Sequence, residues 1–138
     1  MAETFPAGWQ VVADEAAGWE QVTLTPLATY AAEHDGAILY AHTKQDGAWR
    51  RLMTARVVYE WRHLLQKLEE DGYDVAGNCW RLGPGMLDPT PIPHFSGNFW
   101  IATCEYLRTL PPVRNVYAYD AEKWLGLGDP RAFDTEPA

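Results

Sequence analysis

The segment PHFSGNFW, residues 93–100, contains residue types that could do chemistry. His94 can donate or accept a proton near neutral pH. Ser96 and Asn98 can form hydrogen bonds to the hydroxyl groups of a ligand. Gly97 and Asn98 both tolerate a positive φ, which allows the backbone to turn sharply. The segment therefore predicts a shaped binding site, and the alternative is that His94 only caps a turn.

A second candidate for proton transfer is found in the segment YDAEKW, near the C-terminal end of the sequence. Glu122 could act as the general base that takes a proton from an acceptor hydroxyl. It could instead stabilise the first turn of a helix through the helix dipole, with Asp120 as the N-cap. The sequence leaves these two interpretations level.

Two further polar groups follow short apolar runs that predict strands. The tripeptide His42-Thr43-Lys44 ends the first run, and Asn78 and Trp80 end the second. In an open α/β sheet, ligands bind at the carboxyl ends of the strands. We therefore expect both groups to lie beside the PHFSGNFW segment and to contribute to substrate binding.

Cationic and aromatic side chains could bind different parts of a ligand. Lys44, as a point charge, and Arg50, as a bidentate donor, could neutralise a diphosphate. Arg50 could equally belong to a solvated helix face. Trp80 and Trp100 could stack on a sugar ring, although each could instead be a core residue.

The periodicity of apolar residues predicts the elements that position these groups. Helices are predicted at 24–33, 52–70, 101–110 and 119–127, the third being either a helix or a strand-to-helix transition. Strands are predicted at 37–42, 73–80 and 113–119, and a loop at 81–93. The alternation of helices and strands favours an α/β layered domain with a mainly parallel sheet.

Size and charge limit the classes of protein that fit. The 138 residues suit a single domain over 1–138, with 1–19 and 128–138 peripheral or frayed. The net charge of -8 repels nucleic acid and anionic membranes, so we expect neither as a partner. The sequence contains no apolar run of membrane-spanning length and no signal peptide pattern, and we therefore expect a cytoplasmic protein. Its two cysteines, Cys79 and Cys104, fit no metal-ligand spacing and are expected to be free thiols.

Five blocks of the sequence resemble a group of bacterial glycosyltransferase-like proteins. They are ILYAHTK (38–44), WRRLM (49–53), YDVAGNCW (73–80), HFSGNFWIATCEYLRTLP (94–111) and YDAEKWLGL (119–127). The corresponding family patterns are LYxHTKG, WRxxM, YDxxGxNW, HYSGNFWWAxxxYIxxLP and AExWI. Gln45 stands where the family has glycine, and Ile101 stands where it has a second tryptophan.

The resemblance implies a GT-A-like (Rossmann-like) fold with a shortened N-terminal half, and a hexosyltransferase-like activity. Such an enzyme transfers a sugar from a nucleotide-sugar donor to a carbohydrate or other hydroxyl acceptor. The family's Asp-x-Asp metal site would fall at His42-Thr43-Lys44, which lacks carboxylates, so Mg²⁺ or Mn²⁺ would have poor ligands there. Whether a metal cofactor is needed stays open, and so does a homo- or hetero-oligomer that completes the donor site.

Two other functions remain open from the sequence. One is a non-catalytic carbohydrate-binding or partner-completing module derived from the same fold. The other is a small glycoside hydrolase that uses Glu122 with His94. Glycoside hydrolysis usually needs two carboxylates that flank the bond, and the sequence suggests Asp120 or Asp88 as the second one.

Overall fold

The computed structural model describes residues 9–13, 20–42, 47–83, 92–114, 116 and 120–136. The helices in this part of the chain are α1 (Gln21–Glu33), α2 (Gly47–Met53), α3 (Trp61–Glu70), α4 (Cys104–Leu107) and α5 (Asp120–Trp124). A π-helical turn at Thr54–Val58 follows α2, and a 3₁₀ turn at Leu125–Gly128 follows α5. The strands are β1 (Ala37–Tyr40), β2 (Val75–Gly77), β3 (Trp80–Gly83), β4 (Ile92–Phe95), β5 (Trp100–Thr103) and β6 (Ala132–Asp134). The protein is therefore of the mixed α/β class.

Four of the strands form a mixed sheet in the order β1-β5-β2-β6, and β3 pairs with β4 in a separate hairpin. Strand β5 is antiparallel to both of its neighbours, whereas β2 and β6 are parallel. The prediction of a mainly parallel sheet is wrong, because two of these three pairings are antiparallel. The physical reason is the short connection at residues 96–99, which begins β5 beside the carboxyl ends of β1 and β2. A strand that begins at that edge must run back against them.

Helices cover both faces of the sheet, because alternate residues of a strand point to opposite faces. One face packs with α1, α4 and α5 around a core that includes Leu24, Ile38, Tyr40, Trp100, Ala102 and Trp124. The other face packs with α2 and α3 around Met53, Leu64, Leu68, Ala76 and Ile101. Trp100 and Trp124 are both fully buried and fill the first of these cores.

The predicted helix at 52–70 is divided into two helices. A π-helical turn separates α2 from α3, and within it the Tyr59 N–H donates to the Thr54 carbonyl at 3.0 Å. The Thr54 hydroxyl donates to the Arg50 carbonyl at 2.8 Å and so closes the preceding turn. The apolar period continues through the break, since Met53, Val57 and Leu64 all enter the same core. Apolar spacing alone therefore did not indicate where the helix changes its winding.

The C-terminal segment, which we expected to be peripheral or frayed, contributes the edge strand β6. Asp134 stabilises this strand, because its carboxylate accepts hydrogen bonds from the Cys79 N–H at 2.8 Å and the Trp80 N–H at 2.9 Å. These bonds also divide the predicted strand 73–80 into β2 and β3, with Cys79 between them at a φ of 66°. A carboxylate that accepts backbone N–H groups at a chain reversal stabilises it in the manner of a cap.

The remaining elements follow the predictions more closely. Helix α1 and strand β1 occur where expected, and the predicted strand-to-helix transition is the junction of β5 with α4. Helix α5 and the 3₁₀ turn lie within the predicted helix at 119–127. Two predictions differ from the structure: residues 81–83 and 92–93 of the predicted loop belong to β3 and β4, and residues 113, 114 and 116 of the predicted strand are not in a strand. The rest of the loop, at 84–91, and residues 115 and 117–119 lie outside the described residues.

Candidate functional site

Four strand ends lie side by side at one edge of the sheet. Trp100, the first residue of β5, pairs with Tyr40 and Gly77, which end β1 and β2, and Gly77 pairs with Asp134 at the end of β6. Strands β1, β2 and β6 therefore all end at this edge. His42 and Asn78 follow β1 and β2 and lie at the same edge as the turn before β5, whereas Trp80 begins β3 of the separate hairpin. The part of these residues in substrate binding stays a prediction.

The turn at residues 96–99, called here the Gly97 turn, has two consecutive residues with positive φ. Gly97 has a φ of 94° and Asn98 a φ of 59°. The turn closes through a hydrogen bond of 3.0 Å from the Asn98 N–H to the Phe95 carbonyl. A Cβ atom at Gly97 would lie 2.7 Å from Nε1 of Trp49, so both the backbone conformation and the available space require glycine.

Asn98 stabilises the Gly97 turn from inside the protein. Its side-chain Nδ2 donates to Glu20 Oε1 at 2.7 Å and to the Ala121 carbonyl at 3.4 Å, and its Oδ1 accepts from the Trp100 indole at 2.8 Å. The residue is only 1% exposed. Asn98 was predicted to bind substrate hydroxyls, but its amide is buried and hydrogen-bonded within the protein. Its role in the described structure is to hold the turn.

Glu20, at the start of α1, is a member of the site that sequence reasoning missed. Its Oε1 accepts the Tyr40 hydroxyl at 2.8 Å and the Asn98 amide at 2.7 Å, and lies 3.5 Å from Nε2 of His42. The partners are 20 and 78 residues away in sequence for Tyr40 and Asn98, so no local pattern brings them together. Glutamate is also not a preferred N-cap residue, so the sequence did not mark Glu20 as the residue that precedes a helix.

His42 connects β1 to the Gly97 turn. Its Nε2 donates to the Gly97 carbonyl at 2.7 Å, which identifies Nε2 as the ring nitrogen that carries a hydrogen. The ring also packs edge to face against Phe99, with 5.1 Å between the ring centroids. His42 therefore lies at the strand-end edge, and its hydrogen bond gives it a part in fixing the turn.

His94 and Glu122 approach each other on the other side of the same turn. His94 Nδ1 donates to the Ile92 carbonyl at 2.9 Å, which in the neutral ring leaves Nε2 as the basic nitrogen. That nitrogen lies 3.9 Å from Glu122 Oε1, which itself accepts the Gly97 N–H at 3.2 Å. The two residues predicted to carry catalysis are thus neighbours, and Glu122 also anchors Gly97.

The Gly97 turn therefore lies between two histidine and glutamate pairs. His42, which lies beside Glu20, donates to the Gly97 carbonyl, and Glu122, which lies beside His94, accepts the Gly97 N–H. The four side chains keep between 16% and 28% of their surface exposed. Partly exposed imidazoles beside carboxylates can transfer protons, so this cluster, called here the strand-end site, is the candidate functional site.

Three other predicted binding residues have different degrees of burial. Asn78 is 2% exposed, and its Oδ1 accepts from the Thr135 hydroxyl at 2.7 Å. Trp100 is fully buried and contributes to the core, so it cannot stack on a ligand. Trp80 is half-buried, and its ring packs edge to face on Phe95 with 4.7 Å between the centroids. Asn78 and Trp100 therefore support the edge from inside, while Trp80 keeps an exposed surface.

The predicted diphosphate ligands are only partly described. Thr43 and Lys44 lie outside the described residues. Arg50 lies on α2 and is exposed, and α2 also carries Trp49, which contacts the Gly97 turn. Ser96 is half-buried in the turn, and its N–H donates to the Cys79 carbonyl at 2.9 Å. Arg50 and Ser96 are thus on segments that adjoin the strand-end site.

The electrostatic setting of the site is best seen at Tyr40, which is 2% exposed. Burial raises the pKa of Tyr40 well above its ordinary value, and the neighbouring Glu20 carboxylate adds to the shift. The hydroxyl therefore stays protonated at neutral pH and can only donate its hydrogen to Glu20. Among the described residues, no group of three or more His, Cys, Asp or Glu side chains could hold a metal ion.

These features define a mixed α/β protein with a partly exposed cluster of histidine and glutamate side chains at the carboxyl ends of three strands. The chain belongs to the family described as "Domain of unknown function (DUF8361)", which matches residues 6–126. No curated protein and no solved structure matches the chain. No helix in the described part of the chain is long and apolar enough to cross a membrane.

Proposed function

We propose that this protein is a glycosyltransferase that transfers a sugar from a nucleotide-sugar donor to a hydroxyl acceptor. The observation that carries the proposal is the meeting of two histidine and glutamate pairs around the Gly97 turn at the strand-end edge. The similarity of five sequence blocks to glycosyltransferase-like proteins supplies the reaction class. Ligands of open α/β sheets bind at this kind of edge.

A GT-A-like fold is part of the proposal. Strands β1, β2 and β6 run in one direction and β5 in the other, since β5 is antiparallel to β1 and β2 while β6 is parallel to β2. This arrangement is compatible with an open α/β sheet in which one strand is reversed. Helices on both faces of the sheet also support a layered nucleotide-binding architecture.

In the proposed reaction the acceptor oxygen attacks the anomeric carbon of the donor sugar. Glu122 takes the proton of the acceptor hydroxyl, and the bond from the anomeric carbon to the diphosphate breaks as the new glycosidic bond forms. The leaving nucleoside diphosphate takes the electron pair of the broken bond. His94, 3.9 Å from Glu122, orients the acceptor or the leaving phosphate through Nε2.

Cationic side chains are proposed to bind the diphosphate. Lys44 and Arg50 neutralise its charge in place of the metal that an Asp-x-Asp pair would hold, because the segment His42-Thr43-Lys44 has no carboxylate. Trp80, which is half-buried, supplies the ring on which the sugar stacks. A donor site of this composition would bind without Mn²⁺ or Mg²⁺.

Ligand-induced thermal stabilisation tests the donor site directly. The full chain is heated with UDP, GDP, dTDP, CMP and their common sugar conjugates, each with and without Mn²⁺. A ligand at 100 times its Kd adds about 2.7 kcal/mol, which raises the Tm of a domain of this size by several degrees. Stabilisation by one nucleotide supports the proposal, and a flat response to the whole panel contradicts it.

Substitutions at the acid–base pair test the chemistry once a donor is known. Glu122→Gln and His94→Asn should each lower the rate of nucleotide release by at least about 100-fold, because a general base or acid contributes roughly 10²–10⁴ in rate. Glu105→Gln and His63→Asn, at exposed positions on other elements, are matched controls and should leave the rate unchanged. Full turnover in Glu122→Gln would rule out Glu122 as the base.

A non-catalytic carbohydrate-binding module is the second candidate function. It is favoured by the segment His42-Thr43-Lys44, which has no carboxylate to hold a metal ion on a nucleotide diphosphate. Titration calorimetry separates the candidates, because a module of this kind would bind glycans and show no affinity for nucleotides.

A further inference from the structure

We propose that Glu20 is a positioning residue of the strand-end site, which holds Asn98 and His42 in the arrangement that the site requires. The effect of Glu20 on ligand binding rests on the proposed function, whereas its effect on Asn98 and His42 does not. Glu20 is the N-cap residue of α1, and its Oε1 joins that helix to β1 and to the Gly97 turn.

The contacts at Oε1 explain why a carboxylate is needed. Tyr40 and Asn98 approach this oxygen with hydrogen-bond donors, at 2.8 Å and 2.7 Å, and His42 Nε2 lies 3.5 Å away. An ionised carboxylate oxygen accepts more than one hydrogen bond and has no hydrogen of its own to compete with these donors. The donors come from β1 and from the Gly97 turn, so one atom connects separate parts of the site.

Glu20 determines which way the Asn98 amide is oriented. With Nδ2 toward Glu20, Oδ1 is directed to the Trp100 indole and accepts its hydrogen at 2.8 Å. A flipped amide would place Oδ1 against the carboxylate and Nδ2 against the indole N–H, and would lose both bonds. Asn98 also has a φ of 59°, so its side-chain bonds help to hold a backbone conformation that is uncommon outside glycine.

Glu20 also acts on the tautomer of His42. A negative charge 3.5 Å from Nε2 favours the form in which this nitrogen carries the hydrogen, and that hydrogen is donated to the Gly97 carbonyl at 2.7 Å. The tautomer decides which nitrogen of His42 is basic.

Nitrogen-15 NMR of the full chain tests the proposal without any ligand. Glu20→Ala should increase the exchange rate of the Asn98 side-chain amide at least about tenfold, because a hydrogen bond to a charged acceptor is lost. It should also convert His42 from a single tautomer, with the hydrogen on Nε2, to a mixture. Glu33→Ala, at an exposed position at the other end of α1, is the control and should change neither signal.

Glu20→Gln provides a variant that retains the shape of the side chain. Its amide oxygen can still accept from Asn98, so the slow exchange should return. Asn98 then holds the Gly97 carbonyl in place, and this acceptor should restore the single tautomer at His42. An unchanged Asn98 amide or His42 tautomer in Glu20→Ala, or a Glu20→Gln variant that behaves like Glu20→Ala, would overturn the positioning role.

The two proposals can fail separately. If the nucleotide panel gives no stabilisation and Glu20→Ala still changes Asn98 and His42, the glycosyltransferase assignment fails and the positioning role stands. If a donor binds and Glu20→Ala binds it as tightly as the unsubstituted chain, the role of Glu20 in ligand binding fails and the donor site stands.

Discussion

At the scale of single residues, Gly97 has the strictest requirements in the site. Its carbonyl accepts from His42, its N–H donates to Glu122, and its α-carbon faces the Trp49 indole. Both histidine and glutamate pairs are therefore connected through one residue. A change at Gly97 should disturb the two pairs together, although neither pair contains it.

Gly97→Ala should lower the free energy of unfolding by about 1–3 kcal/mol, because it adds a Cβ at positive φ and against an indole. Gly36→Ala is a matched control, since Gly36 has a φ of 104° but no described heavy atom within 4 Å of the added Cβ. Urea denaturation of both variants separates backbone strain from the clash with Trp49. Equal losses in the two variants would show that the indole does not restrict this position.

At the scale of secondary-structure elements, the Asp134 carboxylate determines how the C-terminal strand joins the sheet. It accepts the N–H groups of Cys79 and Trp80, where the chain leaves β2 and begins β3. The β3 and β4 hairpin that leads into the Gly97 turn therefore depends on a side chain from β6. The end of the chain contributes to the placement of the site through this contact.

Asp134→Ala should cost about 1–3 kcal/mol of stability, because the N–H groups of Cys79, Trp80 and Glu136 lose their acceptor. Asp35→Ala is the control: Asp35 is 96% exposed and pairs with Arg108, and the change should stay within about 0.5 kcal/mol. Urea denaturation measures both variants. A loss at Asp134 no larger than that at Asp35 would contradict the role of the carboxylate in holding β6.

At the scale of the whole molecule, two buried tyrosines link the stability of the fold to alkaline pH. Burial raises the pKa of Tyr40 and of Tyr106 above the ordinary value of 10.0, and Glu20 adds to the shift at Tyr40. The unfolded chain releases these protons near pH 10, whereas the folded chain keeps them. Their contribution to stability is therefore complete below pH 10 and is lost as the pH rises above that value.

The free energy of unfolding should fall above pH 10 by about 1.4 kcal/mol per pH unit for each of these tyrosines. Tyr40→Phe removes one of the two groups and should make the slope of stability against pH correspondingly shallower. It also removes the hydrogen bond to Glu20, but that loss shifts the whole curve and leaves the slope unaffected. Urea denaturation from pH 8 to 11 measures the slope, and identical slopes in the two proteins would contradict the assignment.

Features set by neighbouring residues could be predicted from the sequence. Apolar spacing predicted α1, β1 and the core residues of α3, because periodicity is a local property. The turn at Gly97 and Asn98 was expected because these residue types accept positive φ. The break at Thr54–Val58 was not predicted, because the apolar residues on both sides of it, Met53, Val57 and Leu64, enter the same core.

Features that depend on distant partners were decided only by the tertiary structure. Glu20 and Asn98 meet across 78 residues, and Asp134 meets Cys79 across 55, so neither contact leaves a local pattern. The direction of β5 follows from the edge at which its preceding turn lies. The same packing determined which polar residues face solvent, and it enclosed Asn98 and Trp100 while leaving His42, His94 and Glu122 partly exposed. Residue types and spacing thus indicated which polar side chains would lie at this edge. Burial depends on all neighbours at once, so only the tertiary structure decided which of these side chains are exposed to solvent.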